Sequence, residues 1–123
     1  MNVPAIRCLL RTDRNVEVPL TLLVAATPQE HQQGYRGRSP PSDDHSGILF
    51  FFREAALAAF NMRGVPFDLE LCAGSADGTV LGGSLMPANS PVEYAPSAPI
   101  RFAIELRGGW ASRNGLPVRL TIP

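Results

Sequence analysis

Proline and glycine interrupt this chain at short intervals, and they constrain its fold more than any other feature of the sequence. Twelve Pro and eleven Gly are spread over 123 residues. Proline breaks helix interiors, and glycine weakens both helices and strands away from turns. The pattern therefore favours many short strands over long helices. A chain of this length is predicted to form one domain, residues 1–123, that buries roughly two thirds of its unfolded surface.

Apolar and alternating runs predict seven or eight strands. In the run from Val65 to Cys72, the apolar residues at 67, 69 and 71 are expected on one face, with Asp68 and Glu70 on the other. The wholly apolar run at 47–52 is typical of a strand buried on both faces. A turn with Asp-Gly at its tip, residues 75–78, predicts a hairpin. The strands are predicted near Val3–Leu10, Val16–Val24, Gly47–Phe52, Val65–Cys72, Thr79–Met86, Ile100–Leu106 and Pro117–Ile122.

Two short helices are predicted between these strands. The first has Thr27 as its cap, Pro28 at the first helical position, Glu30 to complete a capping box and Gly34 at its end. The second lies within GGWASRNG and ends at Gly115. The segment EAALAAF, residues 54–60, stays open between helix and strand. Together these elements predict an α+β fold, mainly antiparallel β, as a compact barrel-like or sandwich single domain with two short helices.

The charges of the chain are balanced, with 11 basic and 11 acidic side chains. Nucleic acids and anionic membranes require a concentrated basic face, so we expect neither as a partner. No run approaches the roughly 20 apolar residues of a membrane helix, and the N-terminal residues do not have the pattern of a signal peptide. We therefore expect a soluble, cytoplasmic protein.

Cofactors and catalytic residues are not predicted. Cys8 and Cys72 lie in apolar, strand-like segments without a CxxC pattern, which favours buried free thiols over a disulfide or a metal pair. Asp43, Asp44 and His45 could suggest a metal site, but their Ser- and Pro-rich surroundings are typical of an ordinary loop. The sequence contains no GxSxG motif for a nucleophile. We predict no cofactor and no metal, and we lean against an enzyme.

The order of several segments resembles the DUF192 family, also called UPF0127. The segments are ATPQEHQQGYRGR, GILFFF, FNMRGVPFDLEL, ADGTV, LMP, EYAPSAPIRFAIEL and GGWASRNGL. The resemblance covers roughly residues 16 to 122. It implies a small, compact, mostly β protein without a settled activity, and many family members are exported from bacteria or archaea.

The chain also departs from the family pattern in informative places. The family's G-L-M-x-R is Gly34–Arg38 here, and only the Gly and the last Arg match. Its Trp-Met-Lys/Arg becomes Asn61-Met62-Arg63, which removes an aromatic stacking surface. Its Pro-Leu-Asp becomes residues 68–70, with Glu70 in place of the Asp. The residues that match the pattern further on are Tyr94, Ser97, Pro99, Glu105 and Trp110.

Polar groups within the otherwise apolar stretch FNMRGVPFDLEL mark the candidate site. One interpretation is a pocket with apolar walls and a few convergent polar groups. The other is that Arg38 or Arg63 forms a structural ion pair with Glu70 or Glu105. Paired-acid catalysis by Glu70 and Glu105 would require the two carboxylates to approach each other. The candidate ligand-binding residues are Arg38, Asn61, Met62, Arg63, Glu70, Tyr94 and Glu105.

Two functions from different classes follow from these observations. The first is a non-catalytic binding module for a small polar ligand or peptide. The alternative is a structural or interaction protein that works as a subunit of a larger assembly. Trp110 bears on the choice, because a buried ring with its N–H satisfied indicates core and an exposed ring indicates an interface. The oligomeric state is not predicted.

Overall fold

The computed structural model describes residues 4–123 and contains seven strands and two short helices in that range. The predicted strand start at Val3 lies outside the described residues. In chain order the elements are β1 (Ala5–Thr12), β2 (Glu17–Ala25), α1 (Pro28–Gln33), β3 (Ser46–Ala56), β4 (Leu69–Gly74), β5 (Val80–Met86), β6 (Ile100–Arg107), α2 (Trp110–Asn114) and β7 (Pro117–Thr121).

All seven strands belong to one sheet with the order β5-β4-β6-β3-β2-β1-β7. Only β2 and β3 pair in parallel, and residues 26–45, which include α1, make the crossover that parallel neighbours require. A bridge between Thr79 and Arg119 brings the two edges of the sheet together, so that the sheet nearly closes. The predicted mainly antiparallel, barrel-like α+β fold is confirmed.

One buried cluster fills the interior of the barrel. It takes side chains from every strand, and β5 contributes through the half-buried Val80. Cys8 and Cys72 belong to it as free, buried thiols, as predicted. Burial raises the pKa of Cys8 to about 11 and that of Cys72 to about 12, so both stay protonated at neutral pH. The interior is therefore an apolar core rather than a ligand cavity.

Trp110 seals one end of this interior. Its side chain has no exposed surface, and its indole Nε1–H donates to the carbonyl oxygen of Asp44 over 2.8 Å. The Asp44 carboxylate in turn accepts from Arg113 and Asn114 of α2. These bonds tie the predicted acidic loop to the helix, and Gly115 ends the helix as predicted. Trp110 is thus core rather than an interface anchor.

A second buried cluster lies on the outer face of β3, β6 and β4. Alternate residues of these strands, such as Phe50, Ala103 and Leu71, point outward and are covered by the connecting segments. Tyr35 covers them after α1, and Met62 and Val65 cover them between β3 and β4. The apolar half of FNMRGVPFDLEL is therefore the cover of the outer core.

Two of the predicted strands differ from the observed ones. Residues 65–68 do not continue β4 backwards, because Gly64 has a φ of 73° and the Val65 N–H donates to the Met62 carbonyl in a turn. Within 47–52, burial on both faces holds through Phe50, but Phe51 is 43% exposed. Phe51 points to the same side as Leu49, at the open end of the barrel, where the guanidinium group of Arg101 lies over its ring at 6.0 Å from the centroid.

Residues 54–60, for which the sequence favours neither helix nor strand, form no helix. The first part of this segment extends β3 to Ala56, and its last residue, Phe60, forms an isolated bridge with Tyr94. The longest helix has six residues, and no helix within residues 4–123 is long and apolar enough to cross a membrane.

Candidate functional site

The helix α1 begins and ends at the residues that the sequence predicts. The Thr27 side chain accepts from the Glu30 N–H, and the Glu30 carboxylate accepts from the Thr27 N–H, which forms the capping box. Gly34 ends the helix with a φ of 48°, a conformation that favours glycine. The helix crosses the outer face of the sheet at the end of β2 and makes one wall of a cleft.

Residues 58–63 make the opposite wall. The Phe60–Tyr94 bridge, with backbone N–O distances of 2.8 and 2.7 Å, fixes this segment. Asn61 then turns the chain, because its side-chain oxygen accepts from the Arg63 N–H over 3.1 Å. This wall is the first part of FNMRGVPFDLEL, whose polar residues therefore line a cleft while its apolar residues enter the core.

The two walls and the sheet enclose a cleft of about 1120 Å³, which we call the α1 cleft. Phe50 and Phe52 of β3 and Phe60 of the second wall supply its apolar surface. Its charged side chains are Arg36, Arg63 and Glu105; the amides of Gln29, Gln32, Gln33 and Asn61 and the ring of His31 complete its polar lining. Apolar walls with a few convergent polar groups are typical of small-molecule sites.

Glu105 is the buried charged group of this cleft. It lies on β6 between Ile104 and Leu106, which point into the barrel, so its own side chain points to the outer face. Only 5% of the residue is exposed. A Cβ atom placed on Gly34 would lie 3.2 Å from its Oε1, so the carboxyl group lies directly under the end of α1. A side chain on residue 34 would make a tight contact with the carboxyl group in this position.

No residue that the structure describes, 4–123, donates a hydrogen bond to the Glu105 carboxyl group, and because no fully buried polar atom in that range lacks a partner, its oxygens must meet the cleft rather than the packed core. Buried carboxyl groups are normally paired or hydrogen-bonded, because burial of an unpartnered charge is costly. Burial raises the pKa of Glu105 to about 7, and the positive charge of Arg36 acts in the opposite direction. The cleft therefore holds an acid poised between its two protonation states near neutral pH.

Arg36 is a site residue that the sequence analysis missed. Its guanidinium group donates to the Gln32 carbonyl over 2.7 Å and to both the backbone and side-chain oxygens of Asn61. It thus joins the two walls across the mouth of the cleft. The family comparison drew attention to the matched Arg38 instead. Arg36 lies just after the end of α1, where backbone carbonyl groups lack helical partners and favour a cation. This position is the sequence feature that could have identified it.

Arg63 lies at the exposed rim of the same cleft. Its side chain donates no hydrogen bond and forms no ion pair within the described part of the chain. It therefore differs from Arg36, whose Nη1 and Nη2 atoms already donate to oxygens of Gln32 and Asn61. A guanidinium group of this kind is free to bind a carboxylate through two parallel hydrogen bonds.

His31 connects the helix to the floor of the cleft. Its Nε2 lies 2.9 Å from the carbonyl oxygen of Ala25 and 3.1 Å from that of Phe51. Because both partners are acceptors, we assign the hydrogen to Nε2. The ring also lies against Phe52, with 4.8 Å between the centroids. His31 thus holds α1 against β3.

The structure brings three of the seven candidate residues together, namely Asn61, Arg63 and Glu105. The other four lie outside the lining of the cleft. Met62 is fully buried in the outer core. Arg38 donates from Nε to the Gly34 carbonyl over 3.0 Å. The Tyr94 hydroxyl donates to the Ser90 Oγ over 2.9 Å within its own loop.

Glu70 is the fourth of these residues, and it points away from the cleft. Its Oε1 accepts from the Ala111 N–H at the start of α2 over 3.1 Å. In the register of β4 with β6, Glu70 pairs with Leu106 while Glu105 pairs with Leu71. Paired residues share a face and successive residues alternate, so the two carboxylates lie on opposite faces of the sheet. This geometry rules out their pairing as acid and base.

The proposed structural ion pairs are not present either. Within residues 4–123 the salt bridge is Arg113–Asp44, and neither Arg38 nor Arg63 is paired with Glu70 or Glu105. The ion pairs of that interpretation are therefore not formed, although Arg38 and Glu70 each hydrogen-bond to a backbone group. Tyr35, which is buried beside Glu105, has a raised pKa because of burial and the nearby carboxylate.

Two solved structures have the same fold as this chain. A protein from Sinorhizobium meliloti 1021, described as a candidate transcription regulator, has 24% sequence identity and a TM-score of 0.92, with 99% of this chain and 96% of that chain covered. A protein of unknown function from Novosphingobium aromaticivorans DSM 12444 has 18% identity and a TM-score of 0.86, with 97% and 84% covered. At these identities the likeness shows the fold alone.

The sequence itself matches one family model. That model, DUF192, has the description "Uncharacterized ACR, COG1430" and matches residues 9–121, nearly the whole chain. No protein among the curated ones matches. The resemblance inferred from the ordered segments is confirmed, and the chain belongs to the DUF192 family.

Proposed function

We propose that this chain is a non-catalytic binding module whose α1 cleft takes a small polar ligand or peptide. The observation that carries the proposal is Glu105, a carboxyl group that is 5% exposed, lines the cleft and has no hydrogen-bond donor among the described residues. A stable fold would gain by pairing this group internally or replacing it with an apolar residue. Its retention at the floor of an open cleft favours a partner that comes from outside.

The arrangement of the remaining groups supports binding rather than catalysis. Arg36 and Asn61 are engaged with each other, which makes a rigid mouth, and Arg63 is available at the rim. Glu105 has no second acid on its face of the neighbouring strand β4, as the Glu70 register shows. A single acid without a neighbouring nucleophile is suited to orienting a ligand.

The proposal is tested by a thermal-shift screen of the purified protein against sugars, nucleotides, peptides, carboxylates and divalent metals. Ligand at a hundred times its dissociation constant stabilises the native state by roughly 2.7 kcal/mol, a readily measured shift for a domain of this size. Arg63→Ala should reduce the shift by about half or more, since a tenfold weaker ligand stabilises the native state by only about 1.4 kcal/mol at the same concentration, with little change in the melting temperature of the free protein. Arg7→Ala, at an exposed position on β1, is the matched control and should keep the shift.

The result that would refute a binding role at this cleft is a ligand-induced shift that Arg63→Ala leaves unchanged. A screen in which no class of compound gives a shift would also count against it, and would direct attention to assembly.

The alternative, a subunit of a larger assembly, is favoured by the exposed apolar residues at the two edges of the sheet. Leu81 and Leu85 of β5 are 47% and 50% exposed, and Val118 of β7 is 39% exposed. Edge strands with exposed apolar side chains are common sites of association. Light scattering after size-exclusion chromatography decides the point, because a monomer over a wide concentration range contradicts self-assembly. With 11 basic and 11 acidic residues, we do not propose nucleic acid as the partner.

A further inference from the structure

Two charged groups of the α1 cleft, Glu105 and Arg63, have opposite signs and differ in exposure. Glu105, at the floor, is almost fully buried, whereas Arg63, at the rim, is exposed. Arg36 also lines the mouth, but its guanidinium group is already bonded to the carbonyl oxygens of Gln32 and Asn61. The charged side chains of the cleft without a partner among the described residues are thus one buried carboxyl group and one exposed guanidinium group.

A buried carboxyl group that receives no hydrogen bond from the protein is best matched by an ammonium group of a ligand. A primary ammonium carries three donors and a full positive charge, and hydrogen bonds between charged partners are about twice as strong as neutral ones. The pKa of about 7 at Glu105 agrees with this assignment, because an acid raised by burial is readily ionised when a cation approaches. Phe50 and Phe60, which line the same cleft, supply aromatic surface, and aromatic rings attract cations that lie over their faces.

The exposed guanidinium group of Arg63 is best matched by a carboxylate of the ligand. A planar guanidinium group binds a carboxylate through two parallel hydrogen bonds, a geometry that hydroxyl groups do not reproduce. The walls of the cleft that hold these two groups are also formed by phenylalanine rings and by Ala58 and Ala59. This surface fits an apolar side chain rather than a sugar or a phosphate chain.

We propose that the α1 cleft binds an amino-acid-like zwitterion, with its ammonium group at Glu105, its carboxylate at Arg63 and its apolar side chain against Phe50, Phe52 and Phe60. This inference rests on the binding function proposed above and specifies the chemical class of the ligand. A divalent metal is a poorer fit, because no three metal-ligating side chains come together within residues 4–123.

The test is isothermal titration calorimetry at pH 8 with three related compounds. L-Phenylalanine carries both charged groups, N-acetyl-L-phenylalanine lacks the ammonium, and phenethylamine lacks the carboxylate. Loss of one charge-assisted interaction typically weakens binding about tenfold or more. L-Phenylalanine should therefore bind at least tenfold more tightly than either derivative. L-Phenylalanylglycine, which has the same ammonium on a peptide, shows whether an N-terminal peptide residue is the better source of that group.

Two variants assign the ends of the ligand to the two residues. Glu105→Gln, which keeps the shape of the side chain, should remove the preference for L-phenylalanine over the N-acetyl compound. Arg63→Ala should remove the preference over phenethylamine and leave the other preference in place. Glu17→Gln, on an exposed position of β2, and Arg7→Ala are the matched controls, and both preferences should persist in them.

The zwitterion assignment is overturned if the N-acetyl compound or phenethylamine binds as tightly as L-phenylalanine. If another class of compound instead binds with dependence on Arg63, the ligand class is wrong while the binding function stands. If no compound binds at the cleft, both proposals fail. The comparison of compounds on the unaltered protein needs no variant, so a variant that folds poorly does not weaken the test.

Discussion

The stability of the protein should fall as the pH rises through neutrality, and Glu105 should be the cause. Its pKa is about 7 in the folded protein, against an ordinary value of 4.5. Between these two values the folded state holds a proton that the unfolded state has released. Since the free energy of unfolding falls with pH wherever the native state binds more protons, the contribution of this group is unfavourable at high pH.

The magnitude follows from the difference between the two pKa values. A difference of 2.5 between 7 and 4.5 corresponds to about 3 kcal/mol, at about 1.36 kcal/mol for each pKa unit. Most of it, roughly 2.5 kcal/mol, is lost between pH 5 and pH 8. That is a substantial share of the roughly 5–15 kcal/mol that stabilises a typical domain. The ionisable groups that line the cleft together with Glu105 are Arg36, Arg63 and His31, and the buried Tyr35 also feels its charge.

The assay is urea unfolding of the native protein and of Glu105→Gln at pH 5, 6, 7 and 8. A Gln side chain does not titrate, so the variant should gain roughly 2.5 kcal/mol relative to the native protein between pH 5 and pH 8. The difference between the two proteins cancels the titration of both histidines, which they share. Glu17→Gln replaces an exposed carboxylate on β2 and should give a difference that is nearly independent of pH.

A stability difference between Glu105→Gln and the native protein that stays constant within about 0.5 kcal/mol from pH 5 to pH 8 would refute the reasoning. It would mean that Glu105 is hydrated or paired in solution, and the buried, unpartnered carboxyl group at the floor of the α1 cleft would no longer stand. A difference of opposite sign would show that ionised Glu105 has a stabilising partner in the cleft.

Three further predictions concern the fold. Thr27→Ala removes one half of the capping box with Glu30 and should lower the free energy of unfolding by about 1 kcal/mol, measured by urea unfolding. Trp110→Ala should lower it by about 3–5 kcal/mol, because the side chain is fully buried and its N–H is bonded, and Trp110→Phe should cost less. Cys8 and Cys72 should resist a thiol reagent at pH 8 in the native protein and react fully in urea, since burial raises the pKa of both; rapid native labelling would contradict the closed interior.

The local parts of the fold could be predicted because they depend on neighbouring residues. The capping box at Thr27, the end of α1 at Gly34 and the turn at residues 75–78 all follow from side chains within a few positions of each other. The strand predicted over Val65–Asp68 was wrong. An irregular segment that packs over the outer core can have the same alternation, because only some of its apolar side chains point into that core. The turn at Gly64 separates this segment from a strand, and the Val65 carbonyl after it accepts from the Asn89 N–H, which lies far along the chain.

The candidate site was predicted only in part, for a related reason. Asn61 and Arg63 were found from the local concentration of polar groups, and Glu105 from the family pattern. Whether Glu70 shares a face with Glu105 depends on the register of β4 with β6, which no short-range signal specifies. Arg36 joins residues 32 and 61, which are far apart in sequence, so its role appears only when the two walls are placed together.

The separation of the two buried clusters has a consequence for how sequences of this fold can diverge. The interior of the barrel draws on all seven strands, whereas the walls of the α1 cleft are formed by two connections outside it, residues 26–36 and 58–63. Substitutions in these connections leave the packing of the barrel interior unchanged. The cleft can therefore change during evolution without compensating substitutions in the interior. The replacement of the family's Trp by Asn61 is such a change. Homologues are therefore expected to retain a common scaffold while their clefts adapt to different ligands.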